Sequence, residues 1–163
     1  MDVIIGIDPS LTCTGIAAID ARGAVLECGR IKAPKQRDCR KLDEIERSIS
    51  IAKQCDDFVR EFPLVAIRAV VIETAARQVR GPRRARQGQA YYGQAVGVIL
   101  AWMVCQQWPV DWVDVNTWTR GEPKAARAAW VQQVCGVDLS VDTGHDVADA
   151  IGLALWWQAE HPN

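Results

Sequence analysis

A chain of 163 residues, 49% of them apolar, can bury one substantial core but is short for two full domains, so a single domain over 1–163 is expected. It contains no run of about 18 apolar residues, which argues against a membrane-spanning helix. It opens Met1-Asp2 and its first apolar run stops at Asp8, without the basic start and length of a secretory signal, so a cytoplasmic protein with no membrane partner is expected. The formal charge of −1 argues against a polyanion ligand only until its distribution is read. No acid lies between Thr74 and Val110, whereas Arg77, Arg80, Arg83, Arg84 and Arg86 fall within ten residues. Segregated charge of this kind suits a nucleic-acid surface, the plainer alternative being a solvated loop.

In chain order, residues 3–8, 13–19 and 24–31 read as three strands, the second connection being the hairpin-compatible turn Asp20-Ala21-Arg22-Gly23. From Arg40 to Phe62, Leu42, Ile45, Ile49, Ala52, Val59 and Phe62 recur at helical spacing, with Pro63 as the stop. A fourth strand is expected over 68–73, reached by a parallel crossover. Gly81 to Gly88 reads as a mobile basic loop, and Gly93 to Gln107 as a helix apolar nearly all round, buried on more than one side. Asp111 to Val115 forms a fifth strand and Lys124 to Val134 a helix after Pro123. A last helix is expected to start near Asp142 or Thr143, either of which can cap it.

Three apolar elements carry carboxylates at their ends. The first strand ends on Asp8, Val70-Val71-Ile72 ends on Glu73, and Asp146 and Asp149 open the last helix. Asp8 alone reads equally well as a turn cap before Pro9. Together the four acids read as one metal-binding cluster, and Asp146 and Asp149, three apart on a helix, stand on one face. Six dispersed cysteines without a CxxC pair, and only two histidines, argue against zinc and against a disulfide framework; reduced, mostly buried thiols are expected. An all-oxygen donor set favours a hard cation, Mg²⁺ or Mn²⁺.

The motifs Gly6-Ile7-Asp8-Pro9-Ser10 with Thr14-Gly15, Val71-Ile72-Glu73, Gly93-Gln94-Ala95 with Gly97-Val98, Gly121 with Lys124, and Asp146 with Asp149-Ala150, Gly152-Leu153-Ala154 resemble the RuvC family of Holliday-junction resolvases, in order and over nearly the whole chain. A phage or prophage-like member is expected. The resemblance implies an α/β, RNase H-like fold: a five-stranded mixed sheet whose first three strands are antiparallel, with helices on both faces. It implies a homodimer through the helix 93–107 and four catalytic, metal-binding acids, Asp8, Glu73, Asp146 and Asp149. Two Mg²⁺ or Mn²⁺ ions per site would hydrolyse a phosphodiester of four-way or other branched DNA, leaving a 5′-phosphate and a 3′-hydroxyl. Lys124 matches a family lysine that contacts the scissile strand, although a solvated first-turn lysine has the same sequence signature. Thr12 and Thr14 stand beside Asp8, where they can meet phosphate or satisfy their own turn. His145 can ligate, act behind the ligands, or cap.

The chain departs from the family pattern at three places. A second lysine expected after the fifth strand falls near Thr119 or Arg120, making Arg120 its candidate replacement on DNA. Ala76 and Arg77 stand where the family has a junction-wedging aromatic residue, leaving Tyr91, Tyr92 or arginine stacking to open a junction. The segment before Gly93 is longer and rich in Arg; with Arg120 and Lys124, Arg77, Arg80, Arg83, Arg84 and Arg86 are the expected DNA contacts. No motif identifies a branch-migration motor as partner. Two rival readings are a junction-binding protein of recombination with a weak site, and an actin-like or sugar-kinase-type phosphotransferase, whose phosphate loop Gly6-x-Asp8-x-Ser10 also resembles.

Overall fold

The computed structural model describes residues 2–33, 42–74 and 83–162; Cys39, Ala76, Arg77 and Arg80 lie outside the described residues. The elements are β1 (Val3–Asp8), β2 (Cys13–Asp20), β3 (Val25–Lys32), α1 (Leu42–Arg60), β4 (Ile67–Thr74), α2 (Arg83–Cys105), β5 (Val110–Asp114), α3 (Val115–Thr119), α4 (Lys124–Cys135) and α5 (Asp146–Glu160). The strands form a sheet in the order β3-β2-β1-β4-β5. β1 to β3 are an antiparallel meander, while β4 lies parallel to β1 and β5 parallel to β4. This is the expected five-stranded mixed sheet. At the tight turn between β2 and β3, Asp20 accepts hydrogen bonds from the amides of Arg22 and Ala24, and Gly23 takes the left-handed conformation.

Alternation along the central strand divides the core. Val3, Ile5 and Ile7 of β1 face α1 and α2, meeting Ile51, Cys55, Val59, Ile99 and Met103. Ile4 faces the opposite way, toward Trp118, Leu153, Ala154 and Trp157, in the layer formed by α3 and α5, and α4 packs behind through Ala128 and Val131. Each fully buried Ile contributes roughly 1.5–3 kcal/mol relative to exposure, so both faces of β1 anchor it. Helices therefore cover both sides of the sheet, and among the described residues none is long and apolar enough to cross a membrane.

Several expectations need correction. The basic stretch expected as a loop is helical from Arg83, because Arg, Ala and Gln are strong helix formers and a lone Gly88 costs only about 1 kcal/mol. The side chains of Arg83, Arg84 and Arg86 lie outside the described residues. Within one chain α2 buries a single face, Ala95, Val96, Ile99 and Met103, leaving Gly93, Gly97, Ala101 and Val104 exposed. The last helix starts at Asp146, not near Asp142 or Thr143, yet Asp142 still serves it: its buried carboxylate accepts from the Ala148 amide at 3.0 Å. The described cysteines are free thiols, but only Cys55 is fully buried, and Cys105 is exposed.

Two glycines set how closely α5 approaches the sheet. A Cβ on Gly6 would lie 2.1 Å from the Ala150 carbonyl oxygen, and one on Gly15 would lie 1.9 Å from that of Asp146. Both obstacles are backbone, so a side chain at either place must push the helix away. Gly6→Ala should destabilise the fold by about 1–3 kcal/mol or more, measured by urea unfolding; an unchanged midpoint would show that α5 is free to retreat.

Candidate active site

Asp8 ends β1 and Glu73 is the penultimate residue of β4, its parallel neighbour. Ile7 pairs with Ile72 in the β1–β4 register, so the acids that follow them emerge side by side at the carboxyl edge. Asp8 also faces Gly15 on β2, the residue against which the Asp146 carbonyl rests. That packing brings the first turn of α5, with Asp146 and Asp149, to the same edge. The sheet places two carboxylates and the helix supplies two more.

Three of the four acids close around one ammonium. Lys124 Nζ, from the first turn of α4, lies 3.4 Å from Asp8 Oδ2, 3.5 Å from Asp146 Oδ1 and 3.0 Å from Asp149 Oδ2. Glu73 is held from the other side: Trp118 Nε1 donates to its Oε2 at 2.8 Å, and the Tyr92 hydroxyl to its Oε1 at 3.3 Å. Asp149, only 1% exposed at its side chain, also receives Arg127, whose Nε donates to Oδ1 at 2.9 Å and Nη2 to Oδ2 at 2.8 Å. All four predicted acids and Lys124 thus belong to one site.

Burial is the dominant electrostatic cost. It pushes the Asp8 carboxyl well above its ordinary range; the charge of Glu73 adds to the rise and Lys124 opposes it. Glu73 is raised by burial as well, against the pull of its hydrogen bond from Trp118. Burial alone would lower Lys124, but the charges of Asp8, Asp149 and Asp146, with the hydrogen bond to Asp149, outweigh it and hold the ammonium above its usual value. Four acids facing Lys124 and Arg127 remain short of positive charge. An oxygen-only donor set of this kind fits a hard divalent cation. As arranged, no three or more His, Cys, Asp or Glu among the described residues form a set that could hold a metal; the carboxylates are ranged about an ammonium instead.

Other predicted residues fall elsewhere or act differently. Thr14 satisfies the turn, accepting from the Ser10 amide and donating to the Ser10 carbonyl at 2.9 Å, while Thr12 stays exposed beside Ser10. His145 precedes α5 in the left-handed conformation without a side-chain cap, and its carbonyl accepts from the Asp149 amide. Arg120 ends α3 and pairs with Glu160 at 3.5 Å, with most of its side chain exposed. Sequence reading missed Arg127, Trp118 and, as a ligand of Glu73, Tyr92. For Arg127 a signal existed: Lys124 and Arg127 stand three apart and share a helix face. Trp118 sits on the short α3, which no periodicity marks. Tyr92 also lines a cavity of about 460 Å³ with Ser10, Thr12, Glu44 and Arg47.

A sheet ordered β3-β2-β1-β4-β5, antiparallel on one side and parallel on the other and covered by helices on both faces, defines an RNase H-like fold of the RuvC kind. Thermus thermophilus RuvC in complex with Holliday junction substrate superposes with a TM-score of 0.72 at 21% identity, covering 96% of this chain and 92% of that one. A second T. thermophilus RuvC structure gives 0.65 at 22%, covering 94% and 92%. The fowlpox virus Holliday junction resolvase gives 0.53 at 15%, covering 98% and 99%. No family model matches the chain, and no curated protein matches it in sequence. At these identities the likeness defines the fold.

The raised Asp8 carboxyl has a consequence for stability. The folded chain keeps this proton at pH values where the unfolded chain has released it, so the contribution of Asp8 to stability is fully present below the ordinary value of 3.8 and is lost as pH rises through the elevated folded value. Asp8→Asn should therefore match the metal-free wild type near pH 4 and exceed its thermal midpoint near pH 7, by about 2–4 °C for each kcal/mol relieved. Equal midpoints at pH 7 would show that Lys124 already neutralises the cluster.

Proposed function

We propose that this chain is a metal-dependent, structure-selective DNA endonuclease of the RuvC family that nicks four-way or related branched junctions, leaving a 5′-phosphate and a 3′-hydroxyl. The convergence of Asp8, Glu73, Asp146 and Asp149 at the carboxyl edge of the central strands, in a RuvC-type fold, carries this reading. Similarity to structures described as complexes with Holliday junction DNA supports branched DNA as the substrate class. These four acids are the residues that would hold Mg²⁺ or Mn²⁺, two ions per site. Bound there, the ions supply an activated water and a counter-charge for the leaving 3′-oxygen.

The remaining steps belong to side chains. Trp118 and Tyr92 orient Glu73, and burial excludes bulk water from Asp8 and Asp149. Lys124 is half exposed and bonded to three acids at once, so its ammonium is the exchangeable charge of the site, able to turn toward a scissile-strand phosphate. Arg83, Arg84 and Arg86 at the start of α2, with Arg77, Arg80 and Arg120, supply charge for the flanking backbone. A homodimer through α2 places two such sites on opposite strands. Its exposed line of Gly93, Gly97 and Ala101 permits close helix approach, and among the described residues nothing beyond the adjoining turns of α2 lies within 4 Å of a Cβ placed on either glycine.

With Mg²⁺ or Mn²⁺ the purified protein should nick a synthetic four-way junction in preference to linear duplex, while Asp8→Asn and Asp146→Asn should bind the junction and leave it uncut. Wild-type nicking by either variant would remove that acid from the mechanism. In the same binding titrations, Arg83→Ala with Arg84→Ala should flatten the log–log salt dependence by about 0.9 for each phosphate that the variant no longer neutralises; an unchanged slope would take this part of α2 off the DNA. Sedimentation should show a dimer at micromolar concentration that Gly97→Glu converts to a monomer, and a monomeric wild type that cuts both strands would overturn the dimer.

A further inference from the structure

The two cations at the acid cluster are held in opposite ways. Lys124 makes single contacts of 3.0–3.5 Å and its side chain is 49% exposed. Arg127, one turn along α4, is 11% exposed and meets both oxygens of Asp149 in parallel. Its remaining terminal nitrogen donates to the Glu122 carbonyl, so the fork is fixed at three points. The guanidinium also lies 5.0 Å from the centroid of the Trp118 ring, and that indole donates to Glu73. Room for the ring comes from α5: a Cβ on Gly152 would stand 3.2 Å from it. A continuous path of contacts thus runs from Asp149 through Arg127 and Trp118 to Glu73, joining two acids on different elements.

We infer that Arg127 is a positioning residue for the acid cluster, fixing Asp149 directly and Glu73 through Trp118. A buried ion pair adds little net stability over an apolar pair of similar volume, whereas a bidentate fork sets direction, which a lysine's point charge does not. Carboxylates that share ions must have their oxygens aimed in advance, and changing the groups behind such ligands typically costs about 10–100-fold in metal affinity or activity. Lys124 is the charge that leaves, and Arg127 is the charge that stays. This inference rests on the endonuclease reading of the four acids.

Arg127→Lys keeps the charge and loses the fork; Trp118→Phe keeps the ring and loses the Glu73 donor. Mn²⁺ binding to the DNA-free protein, followed by electron paramagnetic resonance of free Mn²⁺, and single-turnover cleavage of a four-way junction give separate readouts. Each variant should weaken Mn²⁺ binding and slow cleavage by about 10–100-fold, and the double variant should be no worse than the poorer single one, since both act along one path. Wild-type Mn²⁺ binding and cleavage in both single variants, a loss of thermal stability alone, or losses that multiply in the double variant would overturn the inference. Asp149→Asn separates the two levels. If it is inactive while Arg127→Lys and Trp118→Phe are unaffected, the positioning role fails and the endonuclease reading stands; if it cleaves like wild type, Asp149 lies outside the mechanism and the positioning role fails with it; if the wild type itself leaves the junction uncut, the endonuclease reading fails.

Discussion

Like charge held out of water is the constraint around which this molecule is built. Asp8 and Glu73 emerge next to each other from the two strands most enclosed by the sheet, and Asp149 is driven against them by a helix most of whose other residues are buried. Each carboxylate loses hydration and gains a repulsive neighbour, and burial is the larger of the two effects at Asp8. The structure answers with counter-charge from a single helix. α4 delivers Lys124 and Arg127 from the same face, so a helix that packs on the core through Ala128 and Val131 also serves the site.

The chain's own pattern made most of the architecture readable. Apolar runs bounded by Pro, Gly and charge mark the five strands to within a residue or two, because each strand must bury both faces or alternate. The ends of those runs also mark Asp8 and Glu73: a single acid terminating a buried strand is costly, and two such endings, with a helix that opens on two more acids, point to a common purpose. Asp146 and Asp149 open an apolar helix, and their spacing of three puts them on one face of it.

What stayed hidden was set by tertiary context. The start of α2 was obscured because Gly81, Pro82 and Gly88 punctuate a segment whose intervening Arg, Ala and Gln favour helix. Asp142 caps α5 from outside the helix, an arrangement made possible by the turn through His145 and not by adjacency. Arg127 reads as an ordinary surface residue of an amphipathic helix until α5 is placed across from it. Trp118 is buried in the core, and its ring nitrogen nevertheless ends on Glu73. Side chains with two roles are the hardest to find from a pattern that records only one of them.

The seating of α5 on Gly6 and Gly15 differs in kind from everything else at the site. It is a meeting of main chain with main chain, governed by volume, and neither ionic strength nor protonation alters it. The charged network can therefore loosen, exchange partners or titrate while the scaffold beneath it keeps its dimensions. A site whose charges can change partners gains a fixed frame of reference from two absent methyl groups.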